Sequence, residues 1–151
     1  LVLDTSGATL ARAAEPPRPV FVLRMDEQEA ETLAASRLKT RGDTADFAEA
    51  LVRRGAAEVV VIARGADGSV MATREGRWFT KAADVPVRSK VGAGDSFVAA
   101  FTLAVARGRT LPRALQEGMA AASAAVMTEA TDLARASDVR RLVAACPVFP
   151  V

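Results

Sequence analysis

The 151-residue chain contains no histidine and no tyrosine, one cysteine and one tryptophan. Without histidine there is no Ser-His-Asp or Cys-His nucleophilic machinery and no histidine general base. The commonest metal ligand is also missing, and one cysteine cannot build a zinc site. Cys146 has no partner within the chain, so there is no disulfide framework, in keeping with a reducing, cytoplasmic compartment. No apolar run is long enough to span a bilayer, and no signal-peptide pattern is visible. A strong charge bias is lacking too: Lys+Arg 20 stand against Asp+Glu 18, for a net +2. With no basic run interleaved with aromatics, neither nucleic acid nor membrane is an expected partner. Any acid–base work falls to Asp, Glu or Lys.

What is present is enough apolar material for a sizeable core, since half the residues are hydrophobic. Leu1–Leu3 reads as a buried strand that opens the chain without Met, which suggests the C-terminal part of a longer protein. Ala8–Ala14 reads as a helix broken by Pro16, Pro17 and Pro19. Val20–Leu23 is a second strand. Asp26 and Glu29 stand at capping-box spacing, ahead of a helix whose apolar face runs Ala30, Leu33, Ala34 and Leu38. Arg41–Asp43 reads as a turn, with Asp43 or Thr44 capping a helix that Gly55 stops. The β-branched run Glu58–Ile62 marks a strand buried on both faces. Arg64–Gly68 is a turn, Ser69–Thr73 and Arg77–Thr80 a hairpin, and Val85–Val87 short and extended. A helix opens at Gly92–Asp95 and ends near Gly108; a long Ala-rich helix runs from Thr110 and Pro112 to about Met127; Ser137 caps a last helix to Ala145. Strands alternating with helices indicate an α/β fold with a mostly parallel sheet and an antiparallel hairpin.

The chemically informative segment is Ser89-Lys90-Val91-Gly92-Ala93-Gly94-Asp95-Ser96-Phe97. Glycines allow close backbone approach and left-handed torsions. The helix that follows turns free N–H groups and the positive end of its dipole to the same point, which makes an anion site. A carboxylate there suits a general base beside a transferring phosphoryl group. It equally suits a plain N-cap, which Asp favours.

Val91-Gly92-Ala93-Gly94-Asp95-Ser96-Phe97-Val98-Ala99-Ala100-Phe101 resembles the second signature of the PfkB (ribokinase-like) carbohydrate kinases. Asp4-Thr5-Ser6-Gly7 resembles a segment of the family's sugar-phosphate kinases. Arg24-Met25-Asp26-Glu27-Gln28-Glu29 sits where they carry Lys-Pro-Asn-x-x-Glu. Val59–Ala63 with Arg64-Gly65-Ala66-Asp67-Gly68 resembles their strand and nucleotide loop, and Gly118–Met127 with Ala130-Thr131 their adenine-side helix and turn. The likeness is strongest to the 6-phosphofructokinase, 1-phosphofructokinase and tagatose-6-phosphate kinase branch. It implies a ribokinase-like three-layer α/β/α sandwich. Residues 1–151 would be its C-terminal, nucleotide-binding part, without the N-terminal sugar-binding part and lid.

By that resemblance the reaction is ATP-dependent phosphorylation of a sugar phosphate, fructose 6-phosphate to fructose 1,6-bisphosphate, with Mg²⁺ and K⁺ as cofactors and a homodimer in the full-length form. Asp95 would be the base, and Gly92, Ala93 and Gly94 the anion hole. Asp26, Ala63, Arg64, Gly65, Ala66, Asp67, Gly68, Met119 and Ser123 would border the nucleotide. Arg64 stands at a commonly apolar position and either reaches a phosphate or faces solvent. Met119 and Ser123 could equally be helix packing. Glu29 would hold Mg²⁺ through water, or act only as a capping-box residue. Ser89, Val91, Ala125, Thr128 and Ala130 hold the positions of a monovalent-cation site. Lys90 replaces the usual Thr there: its ammonium either takes the cation's place or faces solvent. A catalytically silent nucleotide-binding module, or a kinase for a nucleoside or unphosphorylated sugar, are the alternatives.

Overall fold

The structure is a computed structural model that describes residues 1–15, 20–129 and 132–151. The expected proline break at Pro16, Pro17 and Pro19 therefore lies outside the described residues, as do Ala130 and Thr131. The strands are β1 (Val2–Asp4), β2 (Val20–Asp26), β3 (Ala57–Ala63), β4 (Gly68–Thr73), β5 (Arg77–Lys81) and β6 (Val148–Pro150). The helices are α1 (Gly7–Ala13), α2 (Glu27–Ala34), α3 (Arg41–Arg53), α4 (Ala93–Ala106), α5 (Leu111–Ala125) and α6 (Ala136–Leu142). The sheet runs β1-β2-β3-β4-β5-β6 and is mixed. It is parallel through β1, β2 and β3 and antiparallel from β3 to β4. No helix among the described residues is long and apolar enough to cross a membrane.

The chain divides into two compact units, Leu1–Phe79 with Phe149–Val151, and Thr80–Val148. In the first, Leu23 and Met25 of β2 and Val60 and Ile62 of β3 form one core with Leu10 of α1, Ala30 of α2 and Leu51 and Val52 of α3. The β-branched run of β3 is inaccessible from Val59 through Ile62, as a strand covered on both faces requires. Leu1, by contrast, is 80% exposed. The expectation of a buried opening strand is corrected, because among the described residues β1 is at the edge of the sheet and pairs with β2 alone. In the second unit α4 packs along α5. Gly118 of α5 gives Phe97 room to lie flat against the helix.

Several helix ends differ from the expectation. α2 stops at Ala34 because Ala35 turns into the left-handed region (φ 51°). Leu38 therefore reaches the core from a loop rather than from a helical face. Arg41–Asp43 is not a turn but the first turn of α3: Thr40 is the N-cap and makes a reciprocal capping box with Asp43. Ser137 lies inside α6, which starts one residue earlier, after Arg135. Val85–Val87 forms no strand.

Candidate functional site

Strands of a parallel sheet end at one edge, where α/β folds hold ligands. In the first unit β1, β2 and β3 end there at Asp4, Asp26 and Ala63, with Asp4 opposite Arg24 and Asp26 opposite Ala63 in the register. Arg24 Nη1 donates to both Asp4 oxygens, at 3.3 and 3.1 Å. This pair joins two segments that sequence reading matched separately.

Asp26 caps α2. Its Oδ1 accepts from the Glu29 N–H and Glu29 Oε2 accepts from the Asp26 N–H, both at 2.8 Å. The capping-box reading of Glu29 is thus realised with one of its two carboxylate oxygens. The other has no partner among the described residues. Asp26 and Glu29 line an open cleft of about 580 Å³ together with Gly7, Ala8, Thr32 and Leu33. Among the described residues no group of three or more His, Cys, Asp or Glu side chains could hold a metal ion. The two carboxylates of Asp26 and Glu29 suit only an ion such as Mg²⁺, which takes one or two carboxylates and completes its shell with water and phosphate oxygens.

The turn after β3 closes on itself. The Arg64 N–H donates to Gly68 O (2.8 Å) and the Asp67 N–H to Arg64 O (3.1 Å). Gly65 (φ 56°) and Gly68 (φ 130°) supply torsions that other residues rarely adopt. Arg64 itself does not face solvent, which corrects one of the two readings above. Its side chain is 10% exposed and paired with Glu27 and Asp67. Asp67 also binds Arg41, whose guanidinium covers the Phe79 ring at 3.8 Å. The hydrogen bond from Arg41 holds the Asp67 carboxyl below the usual carboxylate range, against the opposing effect of partial burial.

In the second unit Gly92 is the N-cap of α4 (φ 79°, ψ −3°). The first intrahelical bond runs from Ser96 N–H to Gly92 O (2.9 Å), and Ala93 N–H makes only a long contact with Lys90 O (3.4 Å). Among the described residues, nothing accepts from the N–H groups of Gly92, Gly94 or Asp95. Asp95 is thus not the cap. It is the third residue of α4, exposed beside bare amide donors. Such a helix start suits an anion.

The expected cation positions also fall in this unit, apart from Ala130, which lies outside the described residues. Ser89 and Arg88 donate their N–H groups to Val126 O, and Ser89 Oγ accepts from Val91 N–H. The Thr128 hydroxyl stands 2.8 Å from both Ala125 O and Asp132 O. A hydroxyl has one proton, so it serves one carbonyl at a time and leaves surplus acceptor capacity. That oxygen set fits a monovalent cation. The Lys90 ammonium is exposed and has no partner among the described residues. Met119 and Ser123 are buried. Ser123 Oγ accepts from the Ala83 N–H at 3.2 Å, a packing role within the unit.

Comparisons with known proteins place the chain among carbohydrate kinases. The sequence profile described as pfkB family carbohydrate kinase matches residues 1–137. The ATP-dependent 6-phosphofructokinase isozyme 2 of Mycobacterium tuberculosis is 36% identical over 141 residues, 93% of this chain and 41% of that protein. The 1-phosphofructokinase of Bacillus subtilis is 30% identical over 129 residues, 85% of this chain and 42% of that protein. The crystal structure of phosphofructokinase-2 from Escherichia coli in complex with potassium superposes with a TM-score of 0.85 at 29% identity, covering 92% of this chain and 45% of that one. The fold is therefore the ribokinase-like α/β fold. The chain spans about two fifths of the length of the curated relatives it matches.

Proposed function

We propose that this chain, which belongs to the pfkB family of carbohydrate kinases, is the base-bearing, nucleotide-side part of an ATP-dependent sugar-phosphate kinase that converts fructose 6-phosphate to fructose 1,6-bisphosphate. The observation that carries the proposal is Asp95 at the third position of α4, exposed beside bare amide N–H groups behind a left-handed glycine. A sugar hydroxyl oxygen attacks the γ-phosphorus, its proton passes to the Asp95 carboxylate, and ADP leaves with the bridging oxygen. The amides at Gly92 and Gly94 face the charge that develops on the transferring group. Ala93 contributes less, because Lys90 O already draws its N–H.

Asp26 and Glu29, with the turn Ala63–Gly68, take the phosphate side of the nucleotide. Glu29 would hold Mg²⁺ through water, and the metal would screen the phosphate charge when bound. Met119 and Ser123 support the nucleotide from within their own unit rather than by open contact. The oxygens at Ala125, Thr128 and Asp132 would hold K⁺, the ion named in the E. coli complex. Phosphoryl transfer by the whole protein tests the reading. Asp95→Asn is expected to lower kcat by about 10²–10⁴-fold, the usual contribution of a general base. Near-normal kcat in that variant removes the base assignment. A wild-type protein that binds ATP but transfers nothing is instead a silent nucleotide-binding module.

A further inference from the structure

Arg64 does more than the nucleotide-loop resemblance assigns to it. Its guanidinium is nearly buried and all three of its nitrogens are engaged. Nε donates to Asp67 Oδ2 at 3.3 Å. Nη1 reaches Leu38 O at 3.1 Å, Thr40 O at 3.4 Å, Glu27 Oε1 at 3.1 Å and the Thr44 hydroxyl. Nη2 reaches Lys39 O at 3.4 Å. One side chain thus fastens the Gly65–Asp67 turn, the first turn of α2, the Leu38–Thr40 connection and the first turn of α3.

The charges balance locally. Arg64 and Arg41 stand against Glu27 and Asp67, so the desolvated guanidinium is paired rather than stranded. The planar fork has five N–H donors for six acceptors, so the two on Nη1 are shared among four oxygens; an ammonium has only three. Glu27 follows Asp26, the cap of α2, and shares its first turn with Glu29. The same guanidinium therefore contacts both the glycine turn and the first turn of α2, at the ends of neighbouring strands β3 and β2.

We infer that Arg64 is a positioning residue for nucleotide binding: it locks the Gly65–Gly68 turn to the Asp26–Glu29 box, and with them the two elements that meet the phosphates. The inference rests on the reading of the protein as an ATP-dependent kinase. Its role is to hold backbone, so its loss shows in nucleotide affinity and KM for ATP rather than in the proton-transfer step.

The test uses the whole protein. Calorimetric titration with Mg-ADP measures nucleotide affinity without turnover, and steady-state kinetics give kcat and KM for ATP. Arg64→Met, which keeps length and loses the fork, is expected to weaken Mg-ADP binding and raise KM for ATP by on the order of ten- to a hundredfold, the scale of a displaced binding element. kcat is expected to fall far less than in Asp95→Asn. Arg64→Lys, which keeps the charge, is expected to recover only part of the affinity. Glu27→Gln, at a half-exposed site that tolerates the change, cuts one arm of the network and is expected to raise KM for ATP severalfold without loss of folding. Unchanged Mg-ADP affinity in Arg64→Met, or full affinity in Glu27→Gln should Arg64→Met not fold, overturns the inference. So does a lowered Tm with KM for ATP unmoved. Wild-type protein that binds no Mg-ADP overturns both this inference and the kinase reading. A normal kcat in Asp95→Asn with weakened binding in Arg64→Met overturns only the base assignment.

Discussion

Gly118→Ala tests the packing that holds the first turns of α4. A Cβ built at Gly118 meets Cε2, Cδ2 and Cζ of the Phe97 ring at 3.0, 3.1 and 3.2 Å. Carbon atoms rest comfortably at about 3.5–4.0 Å, so the ring must retreat by roughly half an ångström. It has little room to do so, being 4% exposed and stacked on Phe101 with ring centroids 5.8 Å apart. Overpacking of this kind costs about 1–3 kcal/mol. Replacing a glycine inside a helix by alanine returns about 1 kcal/mol of helix propensity. The net expectation is a loss of about 0–2 kcal/mol, read from urea-induced unfolding of the whole protein followed by fluorescence and circular dichroism. The sign is the informative part. In a Phe97→Leu background the added methyl has space, and the same substitution is expected to stabilise by up to about 1 kcal/mol. Stabilisation by Gly118→Ala in the native background refutes the reasoning. An equal effect in both backgrounds refutes it as well, because the coupling between the two sites would then be absent.

Two further predictions follow from local geometry. The Asp67 carboxyl titrates below its ordinary range, so its contribution to stability is fully present above the unfolded-state value of about 3.9 and is lost as pH falls through the lower folded value. Asp67→Asn is therefore expected to lose less Tm than wild type between neutral and strongly acidic pH; parallel Tm–pH curves from scanning calorimetry would rule this out. Gly92 has φ 79° with nothing within 4 Å of an added Cβ, so substitution there is a matter of torsion alone. Gly92→Ala pays the left-handed penalty of about 1–2 kcal/mol and is expected to impair phosphoryl transfer. Gly92→Asn, which tolerates that region better, is expected to keep more of it, and equal losses in kcat would contradict the torsional account.

The parts of the fold legible in advance were those written in short-range pattern. A run of β-branched residues announced β3. The spacing of Asp26 and Glu29 announced the cap of α2, and the glycines before Asp95 announced the start of α4. The Thr40–Asp43 box carries the same logic but ends in Asp rather than Glu or Gln, outside the usual pattern, so the sequence there reads as a turn. α2 ends on a left-handed alanine, not glycine, so no terminator was visible at Ala35. Short strand β6 sits among prolines, which argue against a strand by themselves.

The candidate site divides in the same way. Its glycine torsions and helix start are local, since the chain geometry of a few neighbouring residues decides them, and the order of residues alone sufficed to put a helix start at Gly92–Asp95 but not to tell a cap from an exposed carboxylate. The fate of the charged side chains was not local. Arg64 bonds to groups 20 to 26 residues earlier in the chain, and Asp4 pairs with Arg24 across two strands. Whether an arginine meets solvent, a ligand or a counterion depends on which distant elements fold against it, and how well water is excluded there. By itself the sequence determined the α/β class, the family signature and the opening of a helix at Gly92–Asp95. Only the tertiary structure decided that Arg64 is consumed in holding a loop, that Glu29 spends one oxygen on a cap, and that Asp95 is left exposed at the start of α4. Backbone propensity acts over a few residues, whereas burial and charge pairing are properties of the assembled fold.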